Sequence, residues 1–167
     1  MNKKILSEQS LYYGDVLMPK GFKINHKQLF EDVLKSHITH KKLIYSNTYN
    51  NLETYFREHI KCDYKINLVP KNRWGNIYKP KELSEPLLNI DNMDLNNSAD
   101  FTLLYGVKTN KCSVKIYYDD NRRKQNSWTI SLDEGMFIMF PASNIYVIKN
   151  NQNESLNNIL TITYEYI

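Results

Sequence analysis

At Tyr64 the hydrophobic period of this chain changes from that of a helix to that of a strand, and the strand period persists to Ile167. Short β-rich runs follow, YKINLV, WGNIYK, DFTLLYGV, CSVKIYY, SWTISL, MFIMF, NIYVIK and ILTITYEYI. β-branched and aromatic residues fill such runs because their side chains pack well on a pleated surface. The breaks between them, among them VPKN, KTNK, DDNRRKQN, DEG, FPAS and KNNQNES, carry the Asn, Asp, Gly and Pro that reverse a chain. Eight strands at close to hairpin spacing predict an antiparallel, mainly β jelly roll or sandwich.

Two helices are expected upstream. Over residues 25–40, Leu29, Phe30, Val33, Leu34 and Ile38 form one apolar stripe, with Asn25 placed to cap and Gln28 three residues on. Over 51–61, Leu52, Tyr55, Phe56 and His59 recur at helical spacing after the polar entry SNTYN. The organisation expected is an extended segment over 1–24, a helical extension over 25–63 that covers one face of the β core, and a jelly roll over 64–167, forming one structural domain. The segment LYYGDVLMPKGF shows neither period, and its aromatics predict docking on a neighbouring molecule.

Composition narrows the function classes. The 167 residues are 41% hydrophobic and 24% charged, ordinary for a folded protein. A net charge of +4 with its 22 cations spread along the chain makes nucleic acid an unlikely partner. Cys62 and Cys112 stand alone without metal-ligand spacing and read as small hydrophobes in a reducing compartment. No apolar run reaches the roughly 18 residues that cross a bilayer, and the N-terminus lacks the apolar stretch of a secretory signal. Neither a membrane nor a secretory route is expected. With five glycines in the chain, a phosphate-cradling loop is not expected either.

Chemistry-bearing residues are few. All four histidines, His26, His37, His40 and His59, fall before residue 60, so the strand-rich stretch has none. His37 and His40 share one side of a helix but lie where it should fray into a basic segment, which predicts a solvated end rather than a metal site. His59 lies on the apolar stripe and is expected at the core edge with one ring nitrogen satisfied. Arg122 and Arg123, with Lys124, form a basic loop tip bracketed by Asp119 and Asp120. With Trp128 close behind, these residues form a candidate interaction surface, since Arg and Trp are common interface anchors.

Three segments, in order, resemble the small phage-encoded iron(II)/2-oxoglutarate-dependent oxygenases of the prolyl-hydroxylase-like double-stranded β-helix class. They are WGNIYKPKELSEPLLN, DFTLLYGVKTNKCSVKIYYDD, and SWTISLDEGMFIMFPASNIYVIKNN followed by LTITYEYI. The resemblance covers roughly residues 70–167. It places the family's first metal histidine on Leu87, the second ligand on Asn89 and the distal histidine on Tyr146. The arginine that clamps the cosubstrate carboxylate falls on Ile159, with Asn158 beside it. Ferrous iron needs two imidazoles and a carboxylate, so the resemblance implies a site degenerate at its metal and cosubstrate positions. Leu87 and Ile159 would instead fill the pocket, each contributing about 1.5 to 3 kcal/mol if fully buried.

The resulting expectation is an oxygenase-fold protein with no catalytic residues, metal or cofactor. It would act as a structural or interaction component of a bacteriophage virion, neck, tail or capsid-associated, through protein partners or self-association, in the virion or the host cytoplasm. Two other readings stand beside it: an active oxygenase whose ligands lie at other positions, and a cupin-like module that binds a small molecule in the altered barrel.

Overall fold

The computed structural model describes residues 9–17, 22–119 and 126–167. Two helices follow the short strand β1, Tyr12–Asp15. α1 runs His26–Thr39, with the Asn25 side chain accepting from the Gln28 amide, and α2 runs Asn47–Tyr64, with Ser46 accepting from the Tyr49 amide. α2 starts ahead of its apolar stripe because Ser46 caps it, so the polar NTYN becomes the first turn.

Eight strands follow the expected count with a different membership. They are β1 Tyr12–Asp15, β2 Leu68–Tyr78, β3 Phe101–Lys108, β4 Cys112–Tyr118, β5 Asn126–Ser131, β6 Met136–Pro141, β7 Tyr146–Asn150 and β8 Asn157–Tyr166. The end of YKINLV, Leu68 and Val69, joins WGNIY in the single strand β2, while Tyr64 closes α2. The break VPKN is absorbed as an irregularity in register between Pro70 and Asn72, on an edge strand where proline is tolerated. The remaining strand is β1, which pairs antiparallel with β6 from Tyr12 opposite Met139 to Asp15 opposite Met136. The N-terminal segment expected to dock on a neighbour thus pairs, through Tyr12–Asp15, with the protein's own sheet.

The strands form a five-stranded sheet in the order β1-β6-β3-β8-β2 and a three-stranded sheet in the order β5-β4-β7. The segment after β2 runs along β7, with Leu83 opposite Lys149 and Leu87 opposite Tyr146, and so covers part of that edge. This is the antiparallel jelly roll with two helices that the strand pattern predicted.

Two apolar cores result from strand alternation. One lies between the helices and the larger sheet, where Leu29, Val33, Leu52 and Phe56 meet Leu103, Tyr105, Leu160 and Ile162. The other lies between the sheets, where Leu104, Ile138, Phe140 and Ile159 meet Val114, Ile116, Tyr146 and Ile148. Gly75 sets how closely α1 approaches, because a Cβ there would stand 2.4 Å from the Val33 carbonyl oxygen. Ser36 fixes the same contact by accepting from the Gly75 amide at 3.0 Å and donating to the Lys41 carbonyl at 2.7 Å. Among the described residues, no helix is long and apolar enough to cross a membrane.

Candidate functional site at the open end of the barrel

The inner face of the larger sheet changes character along its strands. One cross-strand rung reads Gly106, Ile159 and Asn76, and the next reads Leu104, Thr161 and Trp74. The last reads Thr102, Thr163 and Asn72. The side chains thus pass from mixed to wholly polar toward the end of the barrel walled by residues 88–99. Within that last rung Thr163 accepts from the Asn72 amide at 3.1 Å.

Asn89 joins this polar rung to the smaller sheet. Its side-chain nitrogen donates to the Thr102 hydroxyl and to the Tyr146 hydroxyl, each at 3.0 Å. Leu87 holds the register of this bridge, exchanging backbone hydrogen bonds with Tyr146 at 2.8 and 3.1 Å. Tyr146 is 1% exposed and its ring packs on Phe140 with centroids 5.0 Å apart. Burial pushes its phenol up to about 12, opposed by the hydrogen bond with Asn89. The group is a neutral hydroxyl at ordinary pH.

Beside the bridge lies an open, polar cavity of about 320 Å³, with Asn72, Trp74 and Thr163 on one wall and Asn89, Asp91 and Ser98 on the other. Lys71, also at its edge, is ion-paired with Glu165 and donates to the Asn97 carbonyl. Trp74 is held in place when the Asn76 amide turns its oxygen to accept from the indole N–H at 3.0 Å. The opposite wall is self-supporting. Asp91 donates its amide to Ser98 at 2.7 Å and accepts from the Met93 amide at 2.9 Å, and Asp94 caps the 3-10 turn Leu95–Asn97. Such a mouth offers amides, hydroxyls and one aromatic ring to a small polar ligand.

Leu87, Asn89 and Tyr146 lie side by side, Leu87 and Asn89 on the segment that runs along β7 and Tyr146 in β7 itself. Leu87 is half-buried against the inter-sheet core, and Ile159 is fully buried within it. Asn158 beside it is 1% exposed, and its side-chain oxygen has no hydrogen-bond partner. The donor set does not fit ferrous iron. Asn89 points a donating nitrogen at the centre of the cluster, Tyr146 presents a protonated phenol, and Leu87 presents carbon. Ile159 likewise offers no charge to a carboxylate. Among the described residues, no three His, Cys, Asp or Glu side chains gather in a metal-holding group.

The histidines lie elsewhere. His37, half-buried, accepts from the Ile77 amide at 3.4 Å, and His40 takes the left-handed position that ends α1. His59 keeps one ring nitrogen 3.1 Å from the Tyr55 carbonyl oxygen, as expected, yet it is exposed rather than packed at the core edge. Its ring stacks on Tyr55 at 3.8 Å and leaves the other face to solvent. Cys62 is exposed and Cys112 buried, and both are free. Arg122, Arg123, Lys124 and Asp120 lie outside the described residues. Trp128 is 40% exposed and meets Tyr13, itself 53% exposed, edge-on at 5.5 Å.

Sequence reasoning singled out Asn89, as a vacated ligand position, and passed over Thr102, Thr163, Asn72 and Trp74. The signal was the alternation of β8, where Thr161 and Thr163 fall between Leu160, Ile162 and Tyr164. Only pairing shows that three strands place polar groups on one rung.

No family model matches this chain, and no curated protein matches it. Solved structures do. A prolyl-4-hydroxylase of Pseudomonas putida is 10% identical, covering 94% of this chain and 88% of its own, with a TM-score of 0.64. The viral collagen prolyl hydroxylase of Paramecium Bursaria Chlorella virus-1, in a 2OG complex, is 11% identical, covering 94% of this chain and 96% of its own, with a TM-score of 0.62. A Trichoplax adhaerens prolyl hydroxylase solved with a hypoxia-inducible-factor peptide fragment is 11% identical, covering 93% and 83% respectively, with a TM-score of 0.62.

These neighbours correct the functional expectation. The structures that share the architecture include these hydroxylases and an epimerase, SnoN, so the reading of a non-enzymatic, structural virion component loses its support. Tyr12–Asp15 pairs with β6 and forms the outermost strand of the larger sheet. The chain has the double-stranded β-helix fold of the iron(II)/2-oxoglutarate oxygenases.

Proposed function

We propose that this protein is an enzyme of the oxygenase-fold class that takes a small polar substrate at the open end of its barrel. We propose further that it does so without the two-histidine-and-carboxylate iron set of the resembled family. The observation that carries this reading is the polar rung Asn72–Thr163–Thr102, bridged by Asn89 to Tyr146 and opening into a cavity. A barrel needed only for packing gains nothing from polar groups there, because each must be satisfied or costs free energy. The likeness to catalytic hydroxylases over 93–94% of the chain supports the enzymatic half of the reading.

In this reading residues 64–167 with β1 form the reacting barrel, and residues 25–63 brace the back of its larger sheet, the whole acting as one structural domain. Thr163, Asn72 and Ser98 bind and orient the substrate. Asn89 and Tyr146 close the barrel floor and exclude water beneath it. The phage source implied by the resemblance rests on the order of its three segments alone.

The test is a thermal-shift screen of organic acids, sugars and nucleotides, with product analysis by mass spectrometry for whatever binds. The reading expects a ligand that raises Tm saturably, loses that effect in Asn89→Ala, and is converted. A flat response across the panel, with no product, overturns it. Stoichiometric Fe(II) binding with succinate release from 2-oxoglutarate would place metal ligands elsewhere in the chain and overturn the iron-free half.

A further inference from the structure

A second cavity, of about 220 Å³, adjoins the mouth along the β2 edge. Both cavities are lined by Lys42 and Trp74, and the Lys42 ammonium stands 5.1 Å from the centre of the Trp74 ring. The two lobes therefore meet at one aromatic plane.

Their chemistries differ. The mouth is rich in amides and hydroxyls (Asn72, Asn89, Asn97, Ser98 and Thr163), groups that pair with the edges of a ring bearing nitrogen and oxygen. Of its charges, Lys71 is paired with Glu165, Lys42 is shared with the second lobe, and Asp91 adds a carboxylate that repels an anion. The second lobe is lined by His37, His40, Lys41 and Lys42, with no acidic residue among its lining. Among the described residues, neither Lys41 nor Lys42 makes an ion pair. An aromatic platform beside unpaired cations is the arrangement that stacks a base and holds its phosphate.

We propose that the two lobes form one site for a nucleoside 5′-phosphate, its base in the amide-lined mouth against Trp74 and its phosphate among His40, Lys41 and Lys42. This deepens the reading of the mouth as the substrate site and rests on it. Asp91 on one side and the lysines on the other set the orientation. Cavities of about 320 and 220 Å³ match a base with its ribose and a phosphate more closely than a single short organic acid.

Trp74 also supplies the probe. The sequence has only one other tryptophan, Trp128, so Trp128→Phe leaves fluorescence that reports on Trp74 alone. Titration of this variant with adenosine, cytidine, guanosine and uridine 5′-monophosphates is expected to quench emission saturably with at least one of them. The matching nucleoside without phosphate is expected to bind at least tenfold more weakly, as is the monophosphate to a Lys41→Ala/Lys42→Ala double variant. Oligonucleotides serve as the second arm. Affinity that is unchanged with length assigns a free nucleotide, and affinity that climbs with length assigns a single strand threading the same groove. No quenching by any monophosphate overturns the proposal, as does equal binding of the unphosphorylated nucleoside. If an uncharged or carboxylic ligand binds in an Asn89-dependent way and ignores the lysine substitutions, the mouth reading stands and the nucleotide proposal falls.

Discussion

β8 has two faces that do different work. Toward the helices it presents Leu160, Ile162 and Tyr164, all fully buried in an apolar layer closed by α1 and α2. Toward the other sheet it presents Ile159, Thr161 and Thr163, apolar at one end and polar at the other. The same backbone therefore supports a layer built for burial and a layer graded toward an opening. Burial alone explains the first. The second keeps hydroxyls where methyl groups would pack as well, beside an open cavity.

The contrast can be strained hardest from the helix side. Gly75→Ala would drive a methyl into the Val33 backbone and lever α1 off the sheet. A loss of about 3 kcal/mol is expected, read by urea denaturation, because backbone cannot yield as a flexible side chain can. A loss below about 1 kcal/mol would show that α1 is loosely held and that the helical layer is not the stabilising one.

Tyr146→Phe probes the inner face. It removes the hydroxyl bonded by Asn89 at 3.0 Å while keeping the ring on Phe140, and a cost of about 1 to 2 kcal/mol is expected. The pH dependence sharpens this. Because burial raises the folded phenol from 10.0 to about 12, the tyrosine's contribution is complete below pH 10 and is lost as pH climbs toward 12. The difference in stability between parent and variant should shrink across that window, and a constant difference would mean that the phenol is not held neutral by burial.

Glu53 offers the smallest expected effect and returns to the helical layer. It is 6% exposed, and burial raises its carboxyl above the usual range against the opposing pull of Arg57, 2.7 Å away. A raised carboxyl pKa makes the folded state bind its proton more tightly, so stability falls as pH rises from the ordinary carboxylate range through the folded value. Glu53→Gln should remove that slope and change stability at neutral pH by less than about 1 kcal/mol, since Arg57 remains half in water. Retention of the full slope in the variant would assign it to another group.

The sequence made the strands legible where side-chain alternation is strong, as in CSVKIYY, and hid them where the backbone alone decides. β1 is four residues, YYGD, joined to the sheet by pairing with β6 rather than by an apolar pattern of its own. VPKN read as a turn because Pro70 forbids a central strand, yet β2 is an edge strand and can hold it. The site was half legible. Asn89 and Tyr146 were marked through a resemblance, and their hydrogen bond has no counterpart in that resemblance. The rung of Asn72, Thr163 and Thr102 depends on the register of three strands far apart in the chain, which one sequence does not contain.

The most direct test of the account is where a bound ligand touches. With the protein labelled with nitrogen-15 and a ligand found by screening added stepwise, the account predicts shifts at the Trp74 indole and the Asn89 side-chain amide, with the Trp128 indole unmoved. Shifts centred on Trp128, or a ligand that binds while Trp74 and Asn89 stay still, would contradict the claim that the polar end of the barrel is the functional site.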